Sequence, residues 1–99
     1  MYLIVGLGNP EKEYVNTRHN MGFDVINKLA KEYEIEISKK NFKGIYGMGI
    51  IEGEKVLLLK PQTYMNLSGE SILEAKNFYK LSELNLIIIY DEILTKYIF

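Results

Sequence analysis

Apolar and polar positions along the chain alternate between two kinds of pattern. Tyr2-Leu3-Ile4-Val5-Gly6 is a short apolar run that ends in Gly-Leu-Gly-Asn-Pro, so it reads as a buried strand stopped by turn residues. Residues 7–18 read as loop. Gly22, Phe23, Ile26, Leu29, Ala30 and Tyr33 then recur at steps of three and four, with Asp24, Lys28, Lys31 and Glu32 left for the wet face. That spacing predicts an amphipathic helix, with Asn16, Thr17 or Asn20 as its cap. Lys39-Lys40-Asn41-Phe42-Lys43 reads as a polar connector. Ile45–Ile51 and Lys55–Lys60 flank Glu52-Gly53-Glu54, which is a hairpin signal. Gly44, Gly47 and Gly49 weaken the first of these strands, which is expected to be an edge strand or bulged. Pro61 closes the second, and Gln62–Asn66 reads as loop. A second helix follows, capped by Ser68 or Asn66, with Leu67, Ile72, Leu73, Ala75, Phe78 and Tyr79 apolar. The Leu- and Ile-rich stretch 85–90 has no polar alternation and reads as a strand covered on both faces.

Strand, helix, hairpin, helix, strand is an α/β order. Strands 2–6, 55–60 and 85–90 can all run parallel, with 45–51 antiparallel, in a mixed, mostly parallel sheet flanked by helices. Ligands of open α/β sheets bind outside the carboxyl ends of the parallel strands. Three segments are expected at that edge: Gly8-Asn9-Pro10, Pro61 to Asn66, and Asp91-Glu92.

Composition narrows the chemistry. The 99 residues make a single domain, and 47% hydrophobic with 25% charged is ordinary globular usage. There is no cysteine and one histidine, which excludes disulfide scaffolds, thiolate metal sites, cysteine nucleophiles and His-rich metal centres. A net charge of −1 gives no global attraction to nucleic acid, so such a ligand has to be held by local features. No apolar stretch is long enough for a membrane helix, and the N-terminus lacks a signal peptide's basic region, so a cytoplasmic protein is expected.

His19, the single imidazole, closes a loop that starts at one strand's carboxyl end; Asp91 stands at another's. An imidazole oriented by a carboxylate is a general base poised near neutral pH. Each residue alone reads as a helix-entry or turn residue; the pair carries more weight. No serine or cysteine adjoins His19, so water is the natural nucleophile. Asn9, Asn20 and Asn66 are carboxamides on loops at the same edge, able to hold a carbonyl or a developing oxyanion. Tyr14 and Tyr64 are aromatics that either stack on a ligand ring or anchor their loops. Lys39, Lys40 and Lys43 read as a solvated face, with a phosphate contact as the lesser reading. Gly6-Leu7-Gly8 is not a dinucleotide fingerprint, because Glu11 stands where its third glycine belongs. Tight turning and close packing explain these glycines better.

Gly6-Leu7-Gly8-Asn9-Pro10 with Tyr14, then Thr17-Arg18-His19-Asn20 and Gly22-Phe23, resembles the opening motif of bacterial-type peptidyl-tRNA hydrolases. Lys60-Pro61-Gln62-Thr63-Tyr64-Met65-Asn66-Leu67-Ser68-Gly69 resembles their second motif, and Ile87-Ile88-Ile89-Tyr90-Asp91 the strand leading into a third. The likeness is colinear over residues 1 to about 92. It implies a three-layer α/β/α fold and cleavage of the ester between peptide and tRNA, recycling tRNA in translation with no metal or organic cofactor. The parent enzyme is implied to be monomeric. Residue by residue, it implies His19 as the general base on water and Asp91 as the group that holds its tautomer. Asn9 would stand beside the ester, and Asn66 would bond the peptide end. Tyr14, Asn20, Tyr64 and Met65 would line the entry of the tRNA 3′ end. After Asp91 the sequence departs from the family pattern and stops at Phe99. The expectation is therefore a truncated, incomplete domain over 1–99, marginally stable and weakly active by itself. The other readings are an inactive remnant or a non-catalytic α/β binding module.

Overall fold

A computed structural model describes residues 1–8, 21–63, 67–82 and 85–90. The elements run β1 (Tyr2–Gly6), α1 (Met21–Glu32), β2 (Lys39–Asn41), β3 (Gly44–Ile51), β4 (Glu54–Pro61), α2 (Ser68–Phe78) and β5 (Leu86–Ile89). They form one five-stranded sheet in the order β2-β3-β4-β1-β5. β1 pairs in parallel with β4 and with β5, while β3 pairs antiparallel with β4 and with β2. The mixed, mostly parallel sheet expected from the sequence is present.

Side-chain alternation sorts the sheet's two faces. Leu3, Val5, Leu57 and Leu59 point to one side and pack with Ile72 and Ala75 of α2. Val56 and Leu58, with Ile4 beside them, point to the other and pack with Ile26 and Ala30 of α1. Because β4 is covered on both faces, it is an unbroken apolar run: Val56 to Leu59 are each at most 3% exposed. The two helices on opposite faces give the three-layer arrangement.

Both helices end alike. Glu34 and Lys80 take positive φ, and the next residue's N–H reaches back to the last turn, Ile35 to Ala30 O at 2.8 Å and Leu81 to Lys76 O at 2.9 Å. The reversal satisfies the end carbonyls and turns an apolar residue back toward the core. At the start of α2 the expected Ser68 cap is absent. Ser68 is the first helical residue and is buried, while Leu67 holds the cap position with no side-chain hydrogen bond. Asn66, the other candidate cap, and Asn16, Thr17 and Asn20 lie outside the described residues.

Three readings of the sheet need correction. The polar connector 39–43 contains β2, paired with Gly44–Tyr46, and a two-residue turn at Phe42–Lys43. Strand β3 is not bulged: its register with β4 runs unbroken from Gly44↔Pro61 to Ile51↔Glu54. Its outer side is paired by β2 only over its first three residues. Its glycines answer to a crossing chain. A Cβ at Gly47 would lie 2.1 Å from Glu36 O, and one at Gly49 would lie 2.4 Å from Ile35 Cγ1. Finally, β5 is a sheet edge and not a strand covered on both faces. Leu86 and Ile88 pack toward α2, but Ile87, on the α1 side, is 46% exposed.

The β3–β4 connection is a two-residue turn with Glu52 at φ 50° and Gly53 at φ 81°. Two consecutive positive φ values are what a type I′ turn requires and what matches the twist of a hairpin. A Cβ at Gly53 would meet nothing within 4 Å. Gly53→Ala is therefore expected to cost only the left-handed backbone penalty, about 1 kcal/mol. A urea melt measures it; a loss above about 2 kcal/mol would contradict this account of the turn.

Candidate functional site

The carboxyl ends of β1, β4 and β5 meet at one edge of the sheet. Leu7 N–H donates to Ile89 O at 2.9 Å, so the chain leaving β1 stays bonded to the end of β5. The register Val5↔Leu59 places the end of β4 alongside, one strand spacing of about 4.8 Å away. The start of α1 is pressed onto the same place. A Cβ on Gly22 would lie 2.3 Å from Ile89 O, 2.4 Å from Leu7 O and 2.5 Å from Leu7 N. A Cβ on Gly6 would lie 2.2 Å from Gly22 O and 2.4 Å from Ile26 Cγ1. Two facing glycines thus let a helix backbone touch a strand backbone. For Gly6, close packing is the role found.

Asn9, Tyr14, His19, Asn20, Tyr64, Met65, Asn66 and Asp91 all lie outside the described residues. Their chain neighbours do not. Gly8 precedes Asn9, Met21 follows Asn20, Thr63 precedes Tyr64, Leu67 follows Asn66, and Tyr90 precedes Asp91. Gly22 is three residues from His19, and Ile89, against which it packs, is two residues from Asp91.

The described cations near this edge differ in situation. Lys60, at the end of β4, is partly buried on the α1 side. Its ammonium donates to Asn27 Oδ1 at 2.7 Å and stands 5.9 Å from the centre of the Phe23 ring. Burial lowers its pKa from the ordinary lysine value, against a raising influence from Asp24. Sequence patterning missed this residue, because a lysine ending an apolar strand looks like a solvent-facing terminus. Lys43 lies on the other face, its ammonium 2.6 Å from Glu70 Oε1 and 3.5 Å from Glu74 Oε2. Hydrogen bonding to Glu70, with that carboxylate's charge, raises its pKa. It is therefore a neutralised cation, whereas Lys39 and Lys40 are exposed in keeping with a solvated face.

Two hydroxyls flank the 64–66 segment. Thr63 Oγ1 and Ser68 Oγ are buried and make no hydrogen bond. Gln62 leaves β4 bonded through its N–H to Lys43 O at 2.9 Å. Among the described residues, no three His, Cys, Asp or Glu side chains come together as a metal site.

A sequence profile of the peptidyl-tRNA hydrolase family matches residues 3–97. The peptidyl-tRNA hydrolase of Clostridium acetobutylicum is 63% identical over 93 residues, covering 94% of this chain and 50% of that protein. The enzyme of the same name from Clostridium novyi is 62% identical over 93 residues, again with 94% and 50% covered. The crystal structure of peptidyl-tRNA hydrolase from Acinetobacter baumannii superposes with a TM-score of 0.89 at 46% identity, covering 96% of this chain and 49% of that one. The chain spans about half the length of the curated relatives it matches.

Proposed function

The chain belongs to the peptidyl-tRNA hydrolase family, and from that premise we propose that it hydrolyses the ester joining a peptide to the 3′ ribose of tRNA. The observation that supports this most directly is the contact of Gly22 with Leu7 and Ile89. It draws together the chain neighbours of Asn9, His19 and Asp91, three residues from three separate segments.

In this reading His19 takes a proton from water as the water oxygen attacks the ester carbonyl carbon. The tetrahedral intermediate collapses, the ribose 3′ oxygen leaves, and the proton held on His19 passes to it. The products are a peptide carboxylate and a free tRNA 3′ end. Asp91 accepts the other imidazole N–H, which fixes the tautomer and favours the charged ring. Asn9 stands beside the ester, where a carboxamide N–H can meet developing negative charge. Asn66 bonds the peptide end, and Tyr14, Asn20, Tyr64 and Met65 line the approach of the tRNA end. The protein works without metal or organic cofactor, as a monomer in the cytoplasm, where its substrate arises.

The proposal is tested with labelled peptidyl-tRNA, by following release of the peptide. Cleavage that persists after exhaustive chelation, and that spares free aminoacyl-tRNA, is the expected result. No cleavage by either this chain or a form extended to its relatives' length would reject it. Asp91→Asn should slow cleavage and displace the acid limb of the pH–rate profile, since a carboxamide can stabilise the wrong tautomer. An unchanged profile would make Asp91 a turn residue. Asn66→Ala should weaken substrate binding while leaving the melting temperature within a few degrees. A large fall in melting temperature with unchanged binding would make it a structural residue of the α2 entrance.

One observation favours a second reading for the 99-residue chain on its own. The edge of β5 away from β1 has no strand partner among the described residues, and Ile87 faces outward. Edges of this kind invite association. A single, non-cleaving domain that self-associates would support that reading. Gel filtration beside the cleavage assay separates the two.

A further inference from the structure

The turn between β2 and β3 is built from residues that do not favour it. Phe42 and Lys43 both take positive φ, at 53° and 54°, where side chains with a Cβ are disfavoured. Such a conformation persists only when its surroundings over-determine it. They do here. The Phe42 ring is buried, with Tyr46, Phe78 and Tyr79 rings centred 5.1, 5.4 and 5.9 Å away. Asn41 Oδ1 accepts from Phe42 N–H at 2.8 Å.

The strained turn presents two consecutive carbonyls, and each holds a different part of the chain. Phe42 O accepts from the buried hydroxyl of Ser71, in the first turn of α2, at 2.5 Å. Lys43 O accepts from Gln62 N–H, just past β4, at 2.9 Å. Gln62 and Ser71 are the two flanks of the segment that contains Tyr64, Met65 and Asn66. One turn, its two α-carbons about 3.8 Å apart, therefore grips both ends of that segment. Lys43 adds its exposed pairing with Glu70 and Glu74, which at about half exposure contributes little. The carbonyls, and not the ammonium, are the grip.

We infer that the Phe42–Lys43 turn is a positioning element for substrate, its two carbonyls setting how the β4–α2 segment presents Tyr64, Met65 and Asn66 to the peptide end. This rests on the functional reading above, in which those three residues meet the substrate. Phe42 and Lys43 touch no substrate themselves.

The test removes one grip at a time. Ser71→Ala removes the first. A synthetic chain with the α-hydroxy acid of glutamine at position 62 replaces the N–H by an ester oxygen and removes the second without changing a side chain. The probe is a short RNA 3′ end carrying an N-acetylated amino acid through a non-hydrolysable amide. In both altered chains, amide exchange at residues 63–68 should rise about tenfold, the scale of one lost hydrogen bond, with exchange in β1 unchanged. The probe's Kd should rise by a similar factor. Lys43→Gly keeps the carbonyl and should leave both readings within about twofold. If Ser71→Ala does not fold, the ester-substituted chain decides. Unchanged exchange or unchanged Kd in the altered chains overturns the positioning role, while a Kd raised by Asn66→Ala would leave the functional reading standing. Failure of the unaltered chain to bind the probe overturns the functional reading and this inference with it.

Discussion

In a form carrying its relatives' full length, His19→Ala is expected to lower turnover of peptidyl-tRNA by about 10²–10⁴, the usual share of a positioned general base. The sequence contains one imidazole, so no second histidine can take over the role. The loss should fall on kcat, with KM little changed, because water activation belongs to the transition state and not to substrate binding. The residual rate should also lose the rise with pH that titration of an imidazole gives near neutrality. Steady-state kinetics across pH 5–9 would check both features. A folded variant that retains near-normal turnover would remove His19 from the mechanism.

The second large effect is on stability. Gly22→Ala puts a Cβ within 2.3–2.5 Å of three backbone atoms, belonging to Leu7 and Ile89. No flexible side chain is there to yield, so α1 must lift from the sheet or the ends of β1 and β5 must part. Overpacking in cores costs about 1–3 kcal/mol and occasionally more; an immovable backbone partner puts this case at about 3 kcal/mol or above. In a domain of this size that lowers Tm by roughly 12–24 °C. Gly6→Ala should behave similarly, since it meets Gly22 O at 2.2 Å. The two losses should not add, because once the helix has lifted for one methyl the second has space. A Gly22→Ala protein that melts within a few degrees of the parent would show that the helix is not seated as described.

This contact also shows what patterning can and cannot read. The helical spacing of Gly22, Phe23, Ile26 and Ala30 reports which face of α1 is buried, and all four are buried. Periodicity does not report how closely the helix approaches its strand, so the reason for Gly6 and Gly22 emerges only in three dimensions. Strand β2 escaped notice because Lys39, Lys40 and Asn41 are all exposed and their pairing is through the backbone alone. The turn after it carries no glycine, so its positive φ values had no local signal. In α2 the apolar residues overstate the core: Leu67, Leu73 and Phe78 are exposed, whereas Ser68 and Ser71 are buried. Small hydroxylated residues there allow the helix to approach the sheet, and Ser71 bonds the Phe42 carbonyl. The edge at which the candidate site lies was legible, because strand order and turn residues place it. The arrangement of the reacting groups depends on residues 9–20, 64–66 and 91, where motif likeness, and not side-chain periodicity, carries the reading.

The position of β1 in the sheet sets the order in which the protein can fold. Its two partners, β4 and β5, begin some fifty and eighty residues further along the chain. The β3–β4 hairpin, closed by the Glu52–Gly53 turn, needs only its own residues and can form within microseconds of both strands being free. At synthesis rates of about 5–20 residues per second, β1 waits roughly 3–10 s for Val56 and its neighbours to be made. Through that interval Leu3, Ile4 and Val5 are an exposed apolar strand at the front of a nascent chain. Mutations that weaken β4 should therefore lower the yield of folded protein in cells more than their effect on equilibrium stability suggests, because β4 is the template that ends the wait.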